Sequence, residues 1–150
     1  MAKRISVSIV TPERPAWEGE VDSLGVPAFD GALGVWPGHA PLLAQLVPGP
    51  LVMRQGDNSW VVAVSGGFVE VLGGKVSVFA ETAEMAEDID AERAHQAAQR
   101  ARSQLRHSSE EKMDIESLTA LERALARLRA VESAARRSLP QKNPKTPIGS

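Results

Sequence analysis

This chain contains no cysteine, so the chemistry open to it is that of its arginines, a scatter of carboxylates and three histidines. Disulfide frameworks, thiolate metal sites and cysteine nucleophiles are thereby excluded. His39, His95 and His107 lie far apart and no two of them have the spacing of helical or hairpin metal ligands. They read as surface or turn histidines, and no metal is expected. Ser65-Gly66-Gly67 lacks the residues of a nucleophile elbow or a phosphate loop, and reads as a tight turn that needs positive φ. Glu81, Glu84, Glu87, Asp88 and Asp90 form an acidic run whose spacing does not match a calcium loop, so it reads as a solvated linker. A hydrolase built on those carboxylates would need a pocket that a linker does not supply. No residue is assigned bond-making chemistry, and the protein is not expected to be an enzyme by itself.

Two features suit binding instead. In Pro37-Gly38-His39-Ala40-Pro41, two prolines bracket glycine and histidine, which stiffens the turn before any partner arrives. Its competing reading is a corner that joins two sheets. The second feature is arginine. Arg93, Arg100, Arg102 and Arg106 fall in one segment and Arg123, Arg127, Arg129, Arg136 and Arg137 in another. Arg123 and Arg127 are one helical turn apart, and Arg93 and Arg100 two, so two rows could converge across an antiparallel helix pair. Guanidinium forks fit phosphates or carboxylates. A solvated face balanced by Glu92, Glu116, Glu122 and Glu132 is the alternative.

The elements that must carry these groups are divided by glycine and proline. Eleven of 12 glycines and seven of 10 prolines precede residue 75, and neither type occurs between Glu87 and Leu139. These residues cost about 1 and 3 kcal/mol inside a helix, so the first part reads as strands and turns and the second as helix. Alternation in Ile5–Ile9, Trp60–Val64, Phe68–Val71 and Val76–Phe79, separated by turn clusters such as Phe29–Gly34, Pro48–Pro50 and Ser65–Gly67, predicts a mostly antiparallel β-sandwich. All six aromatics lie there. Ala91, Ala94, Ala98, Ala101 and Leu105 mark a first helix capped by Asp90, and Leu118, Leu121, Leu125, Leu128 and Val131 give a second helix, to about Leu139, one apolar face. His107–Asp114 reads as the turn between them. The fold class is α+β: a sandwich over 1–87, an antiparallel helical hairpin over 88–139, and a proline-rich tail over 140–150 that reads as disordered. Because an alanine seam buries little area, the hairpin is expected to be a marginal, movable element.

With 150 residues, 43% apolar, 17 basic and 19 acidic side chains and a formal charge of -2, the composition is that of an ordinary soluble chain. Near-neutral charge argues against non-specific nucleic-acid binding. No apolar run approaches the roughly 20 residues of a membrane span, so any membrane role is expected to be peripheral.

Gly31-Ala32-Leu33-Gly34-Val35-Trp36-Pro37-Gly38-His39-Ala40-Pro41-Leu42-Leu43, then Ser65-Gly66-Gly67-Phe68-Val69-Glu70-Val71, then Val76–Ala83, closely resembles the ε subunit of bacterial F-type ATP synthases. The resemblance runs from about Ile5 to Leu139. It implies a sandwich of about ten strands and a two-helix C-terminal domain in a non-catalytic rotor subunit. The implied partners are the γ subunit, the ring of c subunits and the catalytic α and β subunits, at the cytoplasmic face of the bacterial cell membrane. Gly31, Ala32, Trp36, Pro37, Gly38 and His39 would contact the ring or γ; Ala32 stands where the family usually has an acidic residue. The hairpin would be compact on the sandwich or extended along γ, where it obstructs ATP hydrolysis and brings Arg123, Arg127, Arg136 and Arg137 to the β subunit. Ile89-Asp90-Ala91-Glu92-Arg93-Ala94 resembles the ATP-binding motif of some members. Carried over by position, Ile89, Asp90, Arg93, Ala94, Arg100, Arg123 and Arg127 would form the site, with Glu84 nearby. ATP would then be a regulatory ligand, with no cofactor required. The alternative of a different class is a free-standing adaptor whose sandwich binds a peptide and whose hairpin forms a coiled coil with another chain.

Overall fold

The computed structural model describes residues 3–107 and 115–138. Eight strands come first: β1 (Ile5–Val10), β2 (Pro15–Val21), β3 (Ser23–Ala28), β4 (Gly31–Val35), β5 (Leu42–Gln45), β6 (Gly49–Gln55), β7 (Asn58–Leu72) and β8 (Lys75–Met85). A single 3-10 turn, Ala86–Asp88, leads to helices α1 (Ala91–His107) and α2 (Ile115–Ser138). The proposed tail over 140–150 and most of the turn before Ile115 lie outside the described residues.

Two long strands build both layers of the sandwich. The first half of β7 pairs with β6 and the second half with β5, while β8 follows β7 along nearly its whole length and also pairs with β1. Each therefore serves as two strands, which accounts for eight elements where the resemblance implied about ten. The place where β7 passes from one layer to the other is Ser65–Gly67. The positive φ expected there is present, +43° at Gly66 and +112° at Gly67. The chain does not reverse, however; the segment is a kink inside a continuous strand. A Cβ on Gly67 would collide with the backbone carbonyl of Phe79 on β8, so the kink is also a point of close backbone approach.

Pairing is antiparallel except between β1 and β8, where Val7 faces Val76 and Ile9 faces Val78 in parallel register. A parallel pair needs a long crossover, and here the rest of the sandwich is that crossover. Between the layers, Ile5, Val7, Ile9, Val21, Leu24, Val26, Leu51, Met53, Val62, Val64, Val69, Val71, Val76 and Val78 form one core. Trp17 and Trp60 close one side of it with ring centroids 5.8 Å apart.

Alternation fails in one strand. Val61, Val62, Ala63, Val64 and Ser65 are all buried, because the core takes Val62 and Val64 while α2 covers Val61 and Ala63. The helical seam differs from expectation as well. The α1 alanines Ala94, Ala98 and Ala101 are buried as the spacing predicts, but on α2 the fully buried positions are Ser117, Ala124, Ala126 and Ala130. Leu121, Leu125 and Leu128 are half-buried and Leu118 is 37% exposed. A helix held between another helix and a sheet approaches both most closely where its side chains are smallest, which leaves its leucines at the margins.

Candidate functional site

Three places on the molecule answer to the predicted binding residues. The first is the stiff loop. Trp36 accepts a hydrogen bond from the His39 N–H at 3.2 Å, with Pro37 and Gly38 between them and Gly38 at φ +85°. Proline second and a positive-φ glycine third make a type II turn, whose shape follows from these two residues alone. His39 Nδ1 lies 2.7 Å from the Ala40 carbonyl, which ties the ring to its own loop. Gly31, Ala32, Trp36 and Gly38 are exposed, Trp36 at 63%, and Pro37 and His39 are half-buried. The six residues are thus partly or wholly exposed, and the Trp36 ring leans back over Gly34.

The second place is the contact between α2 and β8. Glu84 projects from β8 on the face that carries Ala63, its partner across β7. Arg127 donates to Glu84 Oε1 from Nε at 2.8 Å and from Nη2 at 2.6 Å. Arg123, one turn earlier on α2, borders the same crevice with Ser65 and Thr82, and its Nε is buried without a partner. Ser65 and Thr82 hydrogen-bond across the strands beneath it. The crevice holds only about 10 Å3, so in this arrangement the Glu84 carboxylate takes the place an anionic ligand of Arg127 would need.

The third place is the start of α1. Asp90 accepts a hydrogen bond from the Arg93 N–H at 3.2 Å, and its carbonyl accepts the first helical bond from Ala94 at 3.0 Å, so it caps the helix as its residue type predicts. Ile89 packs partly against the small cluster under α2, and Ala94 is buried. Arg93 and Arg100 are exposed. Of the residues assigned to ATP, the fold thus joins Glu84, Arg123 and Arg127 and leaves Asp90, Arg93 and Arg100 on the outer helix. Of the arginines assigned to the β subunit, Arg136 pairs with Glu132 at 3.6 Å. Arg137 turns toward the sheet, where burial first, then Arg54 and Arg136, hold its guanidinium below the usual arginine pKa.

Sequence reasoning missed one surface. Phe68 on β7 faces Phe79 on β8 and Gln45 on β5, and Leu43 lies two residues along on the same side. Their exposures are 55% for Phe68, 49% for Phe79 and 68% for Leu43, while the intervening Val69 and Val78 are buried. Val10 continues the face on β1. The signal was available as apolar residues at both parities of Phe68–Leu72 and Val76–Phe79, which an ordinary solvent-facing strand does not have.

The β-sandwich domain model described as "ATP synthase, Delta/Epsilon chain, beta-sandwich domain" matches residues 4–86, and the "long alpha-helix domain" model of the same chain matches 87–132. The ATP synthase epsilon chain of Nitratidesulfovibrio vulgaris is 43% identical over 129 residues, 86% of this chain and 96% of that one. That of Desulforamulus reducens is 43% identical over 132 residues, 88% of this chain and all of the relative. Among solved structures, a chain of the Euglena gracilis mitochondrial ATP synthase, in an assembly of OSCP, F1 and c-ring, superposes with a TM-score of 0.73 at 25% identity, covering 89% of this chain and 81% of that one. A chain of the Tetrahymena thermophila mitochondrial ATP synthase central stalk and c-ring shares the fold at a TM-score of 0.53 and 14% identity, covering 88% and 96%. With both domains matched in order and relatives aligned over nearly their full length, the chain belongs to the ATP synthase delta/epsilon family, as an epsilon chain.

Proposed function

We propose that this chain is a non-catalytic central-stalk subunit of an F-type ATP synthase at the cytoplasmic face of a bacterial membrane. In this reading the sandwich grips the γ subunit and rests on the c-subunit ring, and so helps transmit proton-driven rotation. The hairpin is a regulatory arm: docked on the sandwich it is silent, and extended toward the α and β subunits it obstructs ATP hydrolysis.

The observation that carries the reading is the imbalance between the two outer sides of the sheet. One side exposes Leu43, Phe68 and Phe79 together with Gln45 and Glu70, large apolar side chains set among polar ones as on a surface kept for a protein partner. The other is covered by α2 through the small cluster Val61, Ala63, Ala86 and Ala130, with Val52, Ile89 and Ala134 beside them, and through the solvent-screened Glu84–Arg127 pair. A buried methyl group contributes about 0.8 kcal/mol, against about 1.5–3 for each aliphatic side chain of the core. The arm is therefore far more weakly held than the base is folded. The uncovered side is assigned to γ, and the Gly31–Gly34 turn with the Pro37–Pro41 loop to the c ring.

ATP is assigned as a ligand of the docked arm. Arg123 and Arg127 are the phosphate-binding groups, with Arg93 and Arg100 joining from α1 and Asp90 ordering the start of that helix. For phosphates to enter, Arg127 must release Glu84. At about 100 times its dissociation constant, a ligand that binds only the docked form stabilises it by about 2.7 kcal/mol, enough to reverse a gap of one or two.

The absence of native cysteine allows a clean test. Ala63→Cys with Ala130→Cys joins two residues of the small cluster under α2, and the variant is assembled into the complete synthase. Oxidation should lock the arm down and raise ATP hydrolysis several-fold, and reduction should restore the lower rate. Equal rates in both states, with the disulfide shown to form, would reject the inhibitory arm. Loss of assembly on Phe68→Glu is the separate check on the γ-facing side.

A further inference from the structure

A groove of about 630 Å3 lies on the outer face of the layer formed by β3, β4 and β6, away from the Leu43–Phe68–Phe79 side and from the Glu84 crevice. Cross-strand register makes its floor. Gly34 on β4 faces Gly25 on β3, which faces Val52 on β6, so two of three positions in that row carry no side chain. In the next row Ser23 faces Arg54, and Trp36, one residue beyond β4, continues that row on the far side.

The two glycines have different reasons. A Cβ on Gly34 would stand within 2.6 Å of the Trp36 indole, so the ring lies back across the strand, with 63% of the residue still exposed. A Cβ on Gly25 would meet nothing nearer than the Val52 carbonyl at 4.0 Å, and Gly25 is not among the positive-φ glycines. Glycine weakens a strand, and neither packing nor backbone asks for it at this position. A bare strand position of this kind is where a ligand can approach the backbone closely.

The other end of the groove is basic. Arg54 of the sheet and Arg129 and Arg137 of α2 line it. Arg137 has a buried Nε without a hydrogen-bond partner and takes part in none of the ion pairs among the described residues. Asp57 and Glu87 border a neighbouring hollow that Arg137 also reaches, at no ion-pair distance from it. Arg54 thus repels Arg137, and among the described residues neither they nor Arg129 have a carboxylate at ion-pair distance.

We propose that this groove binds a nucleoside phosphate, its base laid on Trp36 and its phosphates held by Arg54, Arg129 and Arg137. Positions two strands apart in one row, as Trp36 and Arg54 are, are separated by about 10 Å, which matches the reach from base to phosphate in a nucleotide. The volume falls within the range of about 300–1,000 Å3 typical of small-molecule sites. A plate plus a guanidinium cluster fits stacking and phosphate recognition. An acidic peptide is a poorer fit, because a sheet face has no free backbone groups with which to pair an extended chain. The site shares no residue with the Arg93, Arg123 and Arg127 set. Its ligand bridges sheet and α2, and it competes with any partner of the Gly31–His39 edge for the Trp36 ring.

The test uses the full chain, isotopically labelled, titrated with ADP and separately with pyrophosphate while the Trp36 indole N–H resonance is followed. ADP should move that resonance saturably. Gly25→Leu, whose Cβ has room and whose side chain would occupy the groove, should abolish the effect; Arg54→Gln should weaken it about tenfold, and Arg93→Ala should leave it unchanged. Trp36→Ala, read by calorimetry, keeps the test open should Gly25→Leu fail to fold, and should cost a similar factor for ADP and nothing for pyrophosphate. The proposal is overturned if pyrophosphate binds as tightly as ADP with Trp36 unmoved, if ADP perturbs only the Arg93 and Arg123 neighbourhoods, or if a glutamate-rich peptide displaces ADP at lower concentration than ADP itself needs.

Discussion

At the scale of single residues, the informative positions are those where one side chain has two roles to separate. Asp90 caps α1 through the Arg93 amide, and it is also assigned to the ATP site. Asp90→Ala should cost α1 about 1 kcal/mol, seen as faster amide exchange in its first turn, and Asp90→Asn should restore it because asparagine caps equally well. Loss of ATP affinity in the asparagine variant, with the helix intact, would then measure the second role by itself. Gly67 is required by backbone geometry. Alanine there would meet both a positive φ and the Phe79 carbonyl, so Gly67→Ala should destabilise the sandwich by about 1–3 kcal/mol, read as a lower urea midpoint with unchanged slope.

At the scale of elements, the contact that matters is α2 against β6 and β7. Ala130 is fully buried between Val61, Ala63 and Ala86, so Ala130→Leu should force the helix away at about 1–3 kcal/mol. Amide exchange should accelerate through α1 and α2 and leave β1, β7 and β8 protected; exchange rising everywhere would mean that helix and sandwich unfold together. Glu84→Gln should loosen the same contact by at most about 1 kcal/mol, since the Glu84–Arg127 pair is 36% exposed on each side and screened by solvent. Arg137 acts in the opposite sense. Its pKa is lower in the folded protein than in the unfolded chain, so protonation disfavours the docked state, and the penalty would lift only as pH rises through the folded value. Arginine stays charged around neutrality, so the penalty persists there and stability should be insensitive to pH on this account. The larger part of the penalty comes from burial and is insensitive to salt; only the repulsion from Arg54 and Arg136 is screened, so Arg54→Gln should stabilise α2 docking at low ionic strength, and by less at high ionic strength, while leaving the sandwich unchanged.

At the scale of the whole molecule, the protein is a firmly packed sandwich with two unequal outer faces. The division into strand-rich and helical parts, the Asp90 cap, the alanine face of α1 and the type II turn at Pro37-Gly38 were all legible in the sequence, because each depends on the intrinsic preferences of a few neighbouring residues. The kink at Ser65–Gly67 was half legible: glycine pairs declare positive φ, but whether the chain then reverses or continues depends on strands that lie far away. The α2 leucines were misread for a related reason. Periodicity identifies an apolar stripe, whereas the choice of Ala124, Ala126 and Ala130 over the leucines as the buried positions is made by how closely α1 and the sheet approach from two sides. The meeting of Glu84 with Arg127, 43 residues apart, the bare Leu43–Phe68–Phe79 face and the groove between Trp36 and Arg137 likewise exist only after the long strands have set which residues are neighbours. Local conformational preference is written residue by residue and can be read so; a surface or a cleft is a relation between distant segments, and only tertiary packing decides it.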